Sequence, residues 1–324
     1  MSIFTLDELH GATSTVRALV PATPAYAWPL LARRVGAEVF VKHENHTPTG
    51  SFKARGGLVY VDTLRRHGPL PHRLVTATRG NHGQSVAIAA RHAGIPALIV
   101  VPEGNSAEKN AAMEAFGGEL IVVGKDFDEA RAVAAKLASE RGYHFVPSFH
   151  RSLVLGVATY AYELLASIPD LHRVYVPIGM GSGICGMIAV RDLLGLKTEI
   201  VGVVAENAPA FALSLESGHT VSTNIANTFA DGLACRQPQP EPFEIVRKGV
   251  TEIVRVSENE IANAVRVLYT DTHNVAEGAG AAALAALLKQ TASLQAKRAG
   301  LVLSGGNIDM AALSRILRGE TPKA

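Results

Sequence analysis

RVYVPIGMGSGICG, residues 173–186, sends a β-branched strand straight into alternating glycines and then into a helical stretch. A strand that empties into glycines before a helix is the ligand-binding corner of an open α/β sheet, because ligands sit beyond the carboxyl ends of parallel strands. The same unit recurs outward from it. AEVFVKHE (37–44), RLVTATRG (73–80), PALIVVPEG (96–104), GELIVVG (118–124), TEIVGVVAE (198–206) and AGLVLSGG (299–306) read as buried strands. Between them QSVAIAARHAG, SAEKNAAMEAFG and DEARAVAAKLASERG carry helical periodicity and stop at glycines. The alternation predicts an α/β fold with two domains of mostly parallel sheets covered by helices.

Basic residues mix with Gly and two prolines in RRHGPLPH (65–72), which marks one domain break; a second falls near 150. Residues 72–150 then form a small unit inserted into a large one built from 1–71 and 151–324. TFADGLACRQPQPEPFEIV (228–246) reads as an ordered, extended surface crossing because of its prolines. The chain has 324 residues, 48% of them hydrophobic and 19% charged, which suits compact domains and argues against long disorder. A formal net charge of +2 gives no general pull toward nucleic acid or an anionic membrane, so any anionic partner is bound locally. Cys185 and Cys235 stand alone, without a disulfide or zinc pattern. No secretion signal is read at the N-terminus, and the longest apolar runs are too short for a membrane span. These points predict a cytoplasmic protein.

Gly179, Gly181 and Gly183 let successive backbone N–H groups converge on an anion, with Met180 and Ser182 between them and a helix behind. The segment admits two ligands. Gly181, Gly183 and Gly186 fit the G-x-G-x-x-G spacing, and Glu206 ends the next strand where a ribose-binding acid belongs, so a nicotinamide dinucleotide is one reading. The other is a phosphate cup, and TPTGSFKARGG (47–57) favours it. Lys53 stands among Gly50, Ser51, Phe52 and Ala54, an apolar and small-residue setting for an amine. A phosphate anchor together with such a lysine is what a pyridoxal phosphate (PLP) enzyme requires. In ATRGNHGQS (77–85), Thr78 can cap the helix that follows, while Gly80, Asn81 and His82 offer donors to a carboxylate. Ser304 in VLSGGNIDM (302–310) is a neutral hydroxyl at a strand end, suited to an unprotonated pyridine nitrogen.

GSFKARGG, GNHGQ, VPIGMGSG, TFADGLA (228–234) and LSGGN (303–307) occur in the order seen in fold-type II PLP enzymes. Over essentially its whole length the chain resembles the serine/threonine dehydratase family, which includes threonine ammonia-lyase and serine racemase and is tryptophan synthase β-like in fold. The resemblance implies β-elimination on a β-hydroxy amino acid, giving a 2-oxo acid and ammonia. It implies that Lys53 carries PLP and then serves as base on the α-proton. Phe52 would lie against the cofactor ring, Asn81 would contact its 3-hydroxyl and Ser304 its nitrogen. Gly179, Met180, Gly181, Ser182 and Gly183 would cup the phosphate, with Glu277 of VAEGAGA close by. Ser51, Thr78, Arg79, Gly80, Asn81 and His82 would surround the substrate carboxylate.

Departures from the family carry expectations of their own. Arg79 stands where racemases of the family have a second serine; a guanidinium is a poor proton acceptor, so dehydration with little racemisation is expected. A family site for a divalent cation (Mg or Ca) would use Glu206 and the carbonyl of Ala210, but its third ligand position is Ala212, which weakens binding. PSFHRSLVLGVAT (147–159) also departs, so that His150, Arg151, Val157 and Ala158 could suit a substrate with an aryl group or a second carboxylate. The chain stops at TPKA, which reads as the short catabolic form, and the likeness implies a homodimer. Other expectations kept open are a β-replacement synthase, a racemase and a nicotinamide-dependent oxidoreductase.

Overall fold

The computed structural model describes residues 3–295 and 297–323. Two sheets organise it. The larger has six strands: β1 (Ala25–Ala27), β2 (Glu38–His43), β7 (Arg173–Pro177), β8 (Glu199–Ala205), β9 (Glu252–Val256) and β10 (Arg298–Leu303), in the order β1-β2-β10-β7-β8-β9. The smaller takes β3 (Leu74–Ala77), β4 (Ala97–Val101), β5 (Gly118–Val122) and β6 (His144–Phe145) in the order β5-β4-β3-β6. Every pairing is parallel except that of β1 with β2. The α/β class read from the alternation is therefore the observed one.

The continuous apolar runs form the central strands because helices cover both faces and leave no wet side. Strands β4 and β3 are buried along their whole length. The sequence reading missed β1, β6 and β9. The first two are three and two residues long, and β9 alternates a charge into a half-buried edge, so none has the apolar run that marked the others.

The proline-rich crossing differs from expectation. Pro240 opens the helix Pro240–Gly249, where a missing N–H costs nothing in the first turn, and Ala230, Leu233 and Cys235 are core residues. Proline here starts a helix instead of extending the chain. Among the described residues no helix is long and apolar enough to cross a membrane.

Parallel topology places the loops after β2, β10 and β7 at one edge of three adjacent strands. The loop after β2 leads to Lys53, the loop after β10 begins at Ser304, and the loop after β7 holds Gly179–Gly181 and runs into a helix that starts at Ser182. A backbone bridge between Ser51 and Gly305 ties the first two together. The four-stranded sheet faces this edge with the loop after β3, residues 78–82.

Candidate active site

Lys53 is the first residue of the helix Lys53–His67. The helix is held from two sides: Gly56 packs on Leu153 and Val157 of the helix Arg151–Ser167, and the Lys53 carbonyl accepts from Ser85 Oγ at 2.5 Å. That clamp aims the lysine. Its side chain keeps some accessible area, its ammonium has no ion pair among the described residues, and burial pushes the amine down to about 8, with Glu277 opposing. Nζ lies 4.9 Å from the Phe52 ring centroid and donates to Ser182 Oγ at 3.4 Å. Phe52 in turn meets Tyr160 edge to face at 6.0 Å.

Ser182 opens the helix Ser182–Leu193, whose N-cap is Gly181 at φ 96°, a left-handed conformation that favours glycine. No side chain caps this helix, so its first amides are free for an anion. Gly179 backs onto the Gly232 carbonyl so closely that a side chain has no room. The Gly183 carbonyl accepts from Tyr160 Oη at 2.9 Å, which fixes the far side of the loop.

Loop 78–82 begins the helix Asn81–Ala93. The expected N-cap role of Thr78 is altered: Gly80 is the N-cap, and Thr78 Oγ1 accepts from Gly80 N at 3.0 Å and Gly83 N at 3.3 Å from inside the loop. Asn81 Nδ2 donates to Glu277 Oε1 at 2.7 Å. Burial, countered by Lys109 and Asn81, lifts the Glu277 carboxyl to about 7. His82 is pushed down to about 3 by burial and by Lys53, so its ring is neutral; Nε2 has no hydrogen-bond partner among the described residues. Ser51 Oγ is likewise buried and unpartnered among them. Ser304 is buried directly after β10, its carbonyl accepting from Phe52 N at 3.1 Å.

Arg79 stands apart from the buried members. Half-exposed, it lies 3.7 Å from Asp231 on a cleft of about 270 Å³ that is also lined by Lys109, Phe229, Glu277 and Asn307. Lys109, Asp231 and Asn307 were not singled out from sequence. The Asp and Asn signals lay in TFADGLA and LSGGN, whereas Lys109 sits in an ordinary helical stretch.

Three further expectations meet the geometry as follows. The cation site stays as weak as position 212 made it: Glu206 is exposed, the Ala210 carbonyl already accepts from Ser214 Oγ at 2.6 Å, and Ala212 brings no ligand oxygen on its side chain. His150 caps its own helix, Arg151 pairs with Glu8 at 2.6 Å, and Val157 and Ala158 are core, so these four side chains are engaged elsewhere. Gly186, assigned to the dinucleotide spacing, packs on Ala158 between two helices.

The residues present fit PLP. They offer a low-pKa amine, uncapped helix amides behind a glycine turn, and buried polar atoms awaiting partners. Residues 16–305 match the pyridoxal-phosphate dependent enzyme family, and the chain belongs to it. This disposes of the nicotinamide reading. The chain is 35% identical over 320 residues to an L-threonine ammonia-lyase of Thermotoga maritima, covering 97% of this chain and 78% of that protein. Its fold matches the processed threonine deaminase isoform 2 of Solanum lycopersicum with TM-score 0.89 and 29% identity, over 97% and 94% of the two chains. It also matches a pyridoxal 5'-phosphate-dependent aspartate racemase with TM-score 0.91 and 27% identity, over 97% and 98%.

Proposed function

We propose that this chain is a PLP-dependent ammonia-lyase that converts L-threonine, or a closely related β-hydroxy amino acid, to a 2-oxo acid and ammonia. Lys53 carries the reading: it is an amine without an ion pair among the described residues, pushed down to about 8, facing the glycine turn after β7. PLP bound there supplies an electron sink for the charge left at the substrate α-carbon.

The remaining work belongs to the protein. Lys53 in its neutral form accepts the α-proton at Nζ. Amides from Gly179 to Gly183, including those of Met180 and Ser182, hold the phosphate, aided by the helix dipole. Thr78, Gly80, Asn81 and His82 offer neutral donors to the substrate carboxylate, with Ser51 beside them. Phe52 would flank the cofactor ring, and Ser304, a neutral hydroxyl, would be the neighbour of its nitrogen. Residues 72–150 serve as the small substrate lobe and residues 1–71 with 151–324 as the large one. Family likeness supports a homodimer in the cytoplasm.

Likeness to an aspartate racemase keeps racemisation as a second reading, and Arg79 weighs against it. The test records the visible spectrum of the purified protein and of Lys53→Ala. It then follows 2-oxo acid release and amino-acid chirality with serine, threonine, phenylserine and hydroxyaspartate. An imine band that needs Lys53, with oxo acid from threonine and little D-isomer, is the expected result. A colourless wild-type protein incubated with PLP overturns the assignment.

A further inference from the structure

Asn307 lies outside the residues assigned to the reaction, yet it is half-buried between the two sheets' loops and borders two cavities. Its Nδ2 donates to the Thr49 carbonyl at 2.8 Å and to Asn81 Oδ1 at 2.7 Å; Asn81 Nδ2 then donates to Glu277 Oε1 at 2.7 Å. One end of this chain is one-way: a backbone carbonyl only accepts, so the Asn307 nitrogen must face Thr49. The other end is not, because the Glu277 carboxyl, lifted to about 7, accepts when ionised and can donate when protonated, so it does not by itself hold the Asn81 amide one way round. Turning either amide over sets nitrogen against nitrogen or oxygen against oxygen. Space for Asn307 is cleared by Gly50, at φ 66°, whose added Cβ would stand 2.5 Å from Asn307 Oδ1.

We propose that Asn307 is a positioning residue: by donating to Asn81 Oδ1 it fixes which end of the Asn81 amide meets Glu277 and which hydrogen remains for the cofactor. The inference rests on the PLP reading of the site and deepens it. Without the Asn307 donor the Asn81 amide is free to turn over, and its contribution to cofactor binding is lost although Asn81 itself is intact.

The test is a double-mutant cycle on the full chain. Asn81→Ala, Asn307→Ser and the double variant are compared for PLP affinity by titration of the cofactor-free protein, and for the pH midpoint of the visible band of the loaded protein. Denaturant midpoints of the cofactor-free chains confirm folding, and Asn307→Asp, which keeps the size but removes the donor, repeats the cycle if the serine variant is unstable. Asn307→Ser is expected to weaken PLP binding about tenfold, on the order of one buried hydrogen bond, and to move the band's midpoint. The double variant is expected to be no weaker than Asn81→Ala. Effects that multiply, or an Asn307 variant with unchanged affinity and midpoint, overturn the inference while a Lys53-dependent band leaves the PLP reading standing. A wild-type chain with no such band overturns both.

Discussion

Lys53 and Glu277 are displaced toward one another on the pH scale, the amine down to about 8 and the carboxyl up to about 7, chiefly by burial. For Glu277 the folded value lies above the ordinary 4.5, so the folded chain holds the proton between about 4.5 and about 7 and loses stability as pH rises through that window. Glu277→Gln should remove that slope in the cofactor-free chain. The variant should gain on the order of 1–3 kcal/mol on the wild type between pH 5 and pH 8, measured by urea unfolding at each pH; parallel pH profiles would contradict the burial argument. Lys53 has the opposite sense, since only its neutral form is a nucleophile. The rate at which the cofactor-free protein develops its visible band on adding PLP should rise with pH and level off above about 8, and a rate that keeps climbing through pH 9 without levelling off would show that the amine is not depressed.

At the scale of elements, the helix Lys53–His67 is aimed by what it touches beyond its first residue. Arg55, two residues in and fully buried, meets Glu44 at 2.7 Å and Glu163 at 2.8 Å, while Lys42 reaches Glu163 at 2.6 Å. These charges join the end of β2, this helix and the helix Arg151–Ser167. Arg55→Met leaves two carboxylates short of a partner in the interior, and should cost about 3–5 kcal/mol in denaturant unfolding; a loss below 1 kcal/mol would mean water relieves the cluster. Glycine supplies the other contact. A Cβ on Gly57 would sit 2.6 Å from the Ser85 carbonyl, whereas one on Gly11, in the helix Leu6–Arg17, meets nothing within 4 Å. Gly57→Ala should therefore destabilise by about 2 kcal/mol and lower cofactor occupancy, while Gly11→Ala should stabilise by about 0.5–1 kcal/mol. Equal effects of the two in thermal melts would refute the close-packing account.

For the whole molecule, polar contacts between the unit bearing the four-stranded sheet and the rest gather on one rim of the cleft. Lys109 pairs with Asp231 at 2.9 Å, Ser106 Oγ donates to Asp309 at 2.6 Å, Met310 N donates to Glu108 at 2.9 Å, and Arg236 pairs with Asp128. In the first of these Lys109 is only 13% exposed and lies across Gly80 at the head of loop 78–82. Asp231→Ala leaves that ammonium without its nearest partner and loosens the rim. KM for threonine should rise about three- to tenfold, as for a binding-competent arrangement that is less populated, with a smaller change in kcat. Steady-state kinetics on loaded enzyme decide the point, and an unaltered KM would free the rim of any part in substrate binding.

Local chemistry wrote much of this protein openly into its sequence. Seven strands, their glycine turns and the family followed from residues 37–44, 73–80, 173–186 and their like, because a strand buried on both faces must be apolar throughout and a backbone anion site must be glycine-rich. The helix at Pro240 and the strands β1, β6 and β9 escaped, since proline serves both extended chain and a first helical turn, and these strands are too short or too interrupted by charge to show an apolar run. What only the tertiary structure decided is which polar groups meet. Asn81, Glu277 and Asn307 lie up to 226 positions apart and form one hydrogen-bonded chain, and Arg55, two residues from Lys53, turns into the core instead of toward the site. The sequence determines which residues can ionise or donate; burial and direction, which set their protonation and their partners, exist only once distant segments have packed together.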